Sequence, residues 1–126
     1  MSVRHGFYAG WHGAEYEASP DGDLVRLYLA RPADGFRRVS PDRYVQVVPL
    51  SDVDHLQYVT THCTWHGEPF VVLGEHDGWL RVEYSGGDAP VAERLGQDLG
   101  LELFDRGVYQ GWASRHEVED VREDIV

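Results

Sequence analysis

Seven histidines and one cysteine are the residues of this 126-residue chain whose types could support metal or nucleophilic chemistry. The tightest group is His62-Cys63-x-x-His66, with His76 near it across an expected hairpin. Imidazole and thiolate both bind zinc, but a structural zinc site takes four ligands in two paired motifs, and a second pair is missing. On a strand, His62 and Cys63 would also point to opposite faces, so both could reach one ion only through a bulge. The pattern reads instead as a small core cysteine with histidines in turns or on the surface, and it implies no metal and no cofactor. A nucleophile would have to be Cys63 with a nearby His, or a serine in a Ser-His-Asp set. No Gly-x-Ser-x-Gly elbow occurs, and nothing around Cys63 matches a catalytic context. Phosphate loops and Gly-x-Gly-x-x-Gly are absent. Asp88, directly after Ser85-Gly86-Gly87, would repel an anion there. The expectation is a protein that is not an enzyme.

Charge narrows the partners. Asp plus Glu number 22 against 11 cations, all of them Arg, for a net charge of −11. Such a chain is a poor ligand for nucleic acid or anionic membranes, which are bound by neutralising phosphates with cations. Without Lys there is no Schiff-base chemistry. A single Cys excludes an internal disulfide. No apolar run reaches membrane-span or signal-peptide length, so a soluble, cytoplasmic protein is expected.

The elements that would position these residues come as an internal repeat. Trp11-His12-Gly13, Tyr16, a Pro20-Asp21-Gly22-Asp23 turn and Leu24-Val25-Arg26-Leu27 are echoed by Trp65-His66-Gly67, Phe70, Glu75-His76-Asp77-Gly78 and Trp79-Leu80-Arg81-Val82. The offset is 54 at the first motif and 55 at the arginine, which suggests turns of slightly different length. A closing echo sets Tyr44 to Pro49 against Val108 to Ala113, at an offset of 64. Within each half the pattern is β. Phe70 to Leu73 is a short run rich in β-branched residues, and Trp79, Arg81 and Glu83 alternate with Leu80, Val82 and Tyr84. A helix is expected from Ala89 to Gly96, capped by Asp88, with Pro90 in its first turn and Gly96 as its stop. Arg31 to Arg43 reads as an irregular loop, and Ser51 to Leu56 as a helical turn. Arg115 to Val126 is open to either a strand or a short helix.

The fold expected is all-β: tandem small SH3-like barrels from an internal duplication, at residues 1–57 and 58–126, with one short helix in the second half. Val45 to Pro49 and Gly107 to Trp112 look like the last strands of such barrels, where a short turn separates two closing strands. Units this small bury a modest share of their surface, so the two should pack on each other.

Repeat-equivalent aromatics, Trp11 with Trp65 and Tyr16 with Phe70, read as core. Trp79 and Trp112 have no aromatic counterpart in the first half. They are candidates for a partner-binding face with Tyr109, flanked by Glu75, Asp77, Glu83 and Asp105, since aromatic anchors beside steering charge are typical of recognition surfaces. The competing account is that Trp79 and Trp112 fill a larger core in the second barrel.

Thr64-Trp65-His66-Gly67-Glu68-Pro69-Phe70, Leu73 to Tyr84 and Phe104 to Trp112 give the chain a resemblance to a group of small actinobacterial proteins that look like immunity partners of secreted polymorphic toxins. The resemblance implies a non-catalytic acidic module that occludes a basic toxin domain. It brings no catalytic residues with it. A general peptide- or protein-binding adaptor of SH3-like type is the alternative that charge and aromatics leave open.

Overall fold

A computed structural model describes residues 3–126. It is built almost entirely of antiparallel strands, with one short helix. The strands are β1 (Gly6–Trp11), β2 (Ala14–Asp21), β3 (Leu24–Leu29), β4 (Arg37–Ser40), β5 (Arg43–Pro49), β6 (His55–Trp65), β7 (Glu68–His76), β8 (Trp79–Tyr84), β9 (Glu102–Asp105), β10 (Val108–Ser114) and β11 (Glu119–Ile125). A 3-10 turn, Leu50–Asp52, separates β5 from β6, and helix α1, Ala89–Leu99, lies between β8 and β9. The chain divides into two compact units. The first comprises Gly6–Val59 with Ile125–Val126, and the second comprises Thr60–Asp124 with residues 3–5. The division falls inside β6, which contributes residues to both.

The two units share one strand order. The first runs β4-β5-β3-β2-β1-β6, and the second runs β9-β10-β8-β7-β6-β11. Each order is an open path, with β4 and β9 as end strands. Each unit also has its own core. In the first, Ala9, Ala18, Val25, Leu27 and Val48 are buried, with Trp11, Tyr16 and Phe36 packed against them. In the second the core is larger and includes Cys63, Trp65, Phe70, Val72, Leu80, Val82, Tyr84, Leu95 and Ala113. Trp65 and Phe70 meet edge to face with ring centres 5.4 Å apart, as Trp11 and Tyr16 do at 6.0 Å.

The Trp-His-Gly echo is a hairpin device. Trp11 pairs with Ala14 and Trp65 with Glu68, so His12-Gly13 and His66-Gly67 are two-residue turns. All four of these residues have positive φ, between 51° and 77°. A turn of that kind matches the right-handed twist of its flanking strands, and Gly tolerates its backbone best.

Strand register corrects two features of the repeat. Asp21 pairs with Leu24 and His76 with Trp79, so the two turns have the same length. The extra residue of the second half lies within β7, where the pairing with β8 slips between Val72 and Gly74. Leu73 is therefore a β-bulge that an apolar run conceals from sequence reading. The closing echo also moves by one residue. Arg26 pairs with Val47 and Arg81 with Trp112, so Trp112 is the counterpart of Val47. The same alignment brings Tyr44 and Tyr109 together.

Helix α1 starts as its sequence predicts, with the Asp88 carboxylate accepting from the Val91 amide at 3.2 Å. It does not stop at Gly96. That glycine is a close-approach site, because a Cβ there would lie 3.0 Å from the Tyr109 ring. The helix ends at Gly100, whose φ of 69° is the left-handed cap that favours glycine. The segment 31–43 includes the short strand β4, and the tail forms strand β11.

Candidate binding face

Strands β8 and β10 define the site. Alternation along β8 buries Leu80, Val82 and Tyr84 and turns Trp79, Arg81 and Glu83 outward. On β10, Gly111 and Ala113 are buried, while Trp112 faces solvent. The antiparallel register sets Trp79 opposite Ser114, Arg81 opposite Trp112 and Glu83 opposite Gln110. Trp79 and Trp112 are thus diagonal cross-strand neighbours, within reach of each other's large side chains. Both are about half exposed, at 50% and 48%. Neither fills the core. With His76, which lies directly opposite Trp79 on β7, they line an open cleft of about 340 Å³.

Arg81 fixes the middle of this face. Its guanidinium lies 5.3 Å from the Trp112 ring centre and 5.4 Å from that of Phe104, within cation–π range of both. It donates to Gln110 Oε1 at 3.3 Å and to Glu102 Oε2 at 3.4 Å, and the Gln110 amide donates in turn to Glu83 at 2.8 Å. Such a chain restrains both the cation and the ring above it. Phe104, 59% exposed, extends the aromatic surface toward the end strand β9.

The residues singled out from sequence take different positions. Trp79, Trp112 and Glu83 come together on the outer face. Asp77 sits at the tip of the β7–β8 turn with a φ of 49°, its carboxylate 3.3 Å from His76 Nε2, and both side chains are largely exposed. Glu75 is exposed at the end of β7, in register with the buried Leu80. The Asp105 carboxylate accepts from the Arg106 amide at 2.7 Å in the turn after β9. Tyr109 is half-buried and packs against the core on the helix side. Sequence reasoning passed over Arg81, Phe104 and Gln110 as site residues, and weighed His76 only beside the His62-Cys63-x-x-His66 group. Arg81 and Gln110 carry the signal in alternation alone, since they share a face with the tryptophans. Phe104 carries none until β9 is paired with β10.

The first unit presents a smaller version of the same surface. Leu24 and Val47, the counterparts of Trp79 and Trp112, are also exposed, at 45% and 48%. Arg26, the counterpart of Arg81, pairs with Asp21 at 3.1 Å.

The histidines and the cysteine separate as strand alternation requires. Cys63 is buried in the second core, and its pKa is pushed up to about 11 by burial, against a smaller opposing pull from Arg115 and Arg122. His62 faces the other way, 3.0 Å from the Thr60 hydroxyl and 3.2 Å from Asp124. His66 occupies its hairpin turn beside Glu117 and Glu119. Among the described residues, no three His, Cys, Asp or Glu side chains group closely enough to hold a metal ion. No helix is long and apolar enough to cross a membrane.

Residues 3–126 match the family described as Uncharacterised conserved protein UCP033725. The chain belongs to this family. No curated protein and no solved structure matches it significantly. The match spans both units.

Proposed function

We propose that this member of the family is a non-catalytic, acidic protein-binding module that docks its partner on the outer face of β8 and β10. The observation that carries the reading is the cleft of Trp79 and Trp112, two half-exposed tryptophans where the first unit has Leu24 and Val47. Monomeric proteins seldom leave large aromatic side chains together in solvent without a use for them, and Trp is a preferred interface anchor. The net charge of −11 supports a basic partner, whose approach it would accelerate at low salt. The specific form proposed is a cytoplasmic immunity or inhibitor protein that occludes a basic toxin domain.

The architecture proposed is a tandem of SH3-like barrels produced by duplication. Three observations support it. The strand order is the same in both units. A short turn separates two closing strands in each, at Leu50–Asp52 and after Ser114, where the Glu117 amide donates to the Ser114 carbonyl at 2.9 Å. Each unit has a buried core of its own.

The second reading is a general peptide- or protein-binding adaptor of SH3-like type. It is favoured by the exposed apolar pair being present in both units. Capture of partners from a lysate by wild-type protein and by Trp79→Ala and Trp112→Ala variants tests the proposal. A toxic, basic partner would favour inhibition, and a set of unrelated partners would favour the adaptor.

A further inference from the structure

Resting on the protein-binding reading, we propose that the free edge of β9, Glu102-Leu103-Phe104-Asp105, is where an extended basic segment of the partner adds as a further strand. β9 is hydrogen-bonded to β10 on one side, through a ladder with a bulge at Phe104, and is the end of its unit's strand order on the other. No other backbone hydrogen bond of these four residues occurs among the described residues. All four are exposed, Leu103 at 62% and Phe104 at 59%. An end strand bearing solvent-exposed apolar side chains is what proteins avoid unless something covers it.

The equivalent end strand β4, equally short and with a matching bulge at the exposed Val39, differs in the polar side chains it presents. β4 reads Arg37-Arg38-Val39-Ser40, and the Arg38 guanidinium folds back onto the Ser40 and Pro41 carbonyls at 3.3 and 3.4 Å. β11 is blunted by charge, with Glu119, Asp120, Arg122, Glu123 and Asp124 among its seven residues. Only β9 has two apolar residues enclosed by two carboxylates.

That sequence also selects the occupant. A strand laid beside β9 places its side chains near Glu102, the bulged Leu103-Phe104 pair and Asp105, and cross-strand pairs favour opposite charge and apolar contact. The complementary segment is therefore cation, apolar, apolar, cation. A second copy of this chain is a poor fit. Antiparallel pairing of β9 with itself would set Glu102 against Asp105 twice, between two chains each carrying −11.

The test uses the full chain, isotopically labelled for NMR, and the peptide acetyl-Thr-Arg-Val-Val-Arg-Thr-amide. Controls are the same peptide with both valine amides N-methylated, and a version with Glu in place of both Arg. The expected result is at least tenfold slower amide exchange within residues 102–105 at saturating peptide. N-methylation should abolish that protection, and the Glu peptide should bind at least tenfold more weakly. The single reversal D105R, outside the network that holds Arg81, should weaken the Arg peptide and strengthen the Glu peptide while leaving the melting temperature within a few degrees. Equal binding of the N-methylated peptide would overturn strand addition, as would absence of binding at millimolar concentration. Protection of β9 by dimerisation without peptide would overturn the choice of occupant. Peptide-induced changes confined to Trp79 and Trp112 would also overturn strand addition, yet would leave the protein-binding reading standing.

Discussion

Trp112 stands directly across the β8–β10 ladder from Arg81, whose guanidinium is 5.3 Å from its ring centre. This relationship accounts for how a half-exposed tryptophan can be rigid. The cation beneath it is held by Glu102 and Gln110, and Gln110 is itself tied to Glu83. An anchor that is ordered before binding loses less entropy when a partner arrives. Arg81→Met should keep the packing volume but remove the cation and its hydrogen bonds. Partner affinity is expected to fall roughly tenfold with a change in stability below about 1 kcal/mol, measured by titration calorimetry beside a urea melt.

The hairpin histidines give a second expectation. His12 and His66 hold positive φ in two-residue turns, a backbone that Asn adopts more readily. His66→Asn should stabilise the protein by roughly 0.5–1 kcal/mol in chemical denaturation, and His12→Asn should do the same. Loss of stability in both would show that the imidazoles contribute more than the turn geometry requires.

The Arg4–Glu123 pair sets an acid limit. Arg4 donates to both Glu123 carboxylate oxygens, at 2.8 and 3.0 Å, and this hydrogen bonding lowers the Glu123 pKa, opposed in part by desolvation and helped by the Arg4 charge. A depressed folded-state pKa gives stability that is present above the unfolded value, about 4.5, and is lost as pH falls through the folded one. Replacing Glu123 with Gln should therefore cost most at neutral pH and least in acid. Melting temperatures of the two proteins, taken from pH 7 downward, should converge below pH 4.5.

Cys63 should be inert in the folded protein. It is buried, and its thiol pKa is raised to about 11, so little thiolate forms at pH 8. Reaction with a thiol reagent should be slow in native buffer and fast in 6 M guanidinium, at one thiol per chain. Rapid modification under native conditions would mean that the core opens locally.

Local signals carried much of this architecture. The alternation Trp79-Arg81-Glu83, the Asp77-Gly78 turn and the Asp88 cap are each legible because their physics spans a few residues. Features governed by distant partners were not. Leu73 looks like any apolar strand residue, and only its pairing with β8 exposes the bulge. Gly96 carries the usual signal for a helix end, but Tyr109 gives it another reason to be glycine. Tyr109 sits beside Gln110 in sequence yet faces the helix, and Phe104 joins the outer face through Arg81. The exposure of Trp112 depended on which side of β10 is buried, and one residue's difference in the repeat alignment, Val47 instead of the buried Val48, decides it.

The most direct measurement of the central claim is a capture experiment with the W79A/W112A double variant beside wild type, at low and moderate salt, with melting curves for both. Wild type should retain a partner that weakens as salt rises, since screening reduces steering by the acidic surface. The double variant should lose about 2 kcal/mol or more of binding, roughly thirtyfold, while its melting temperature stays within a few degrees. Truncating a core aromatic such as Phe70 should instead cost about 3–5 kcal/mol of folding stability. A double variant that captures the same partner equally well, or one that unfolds like a core variant, would contradict the account.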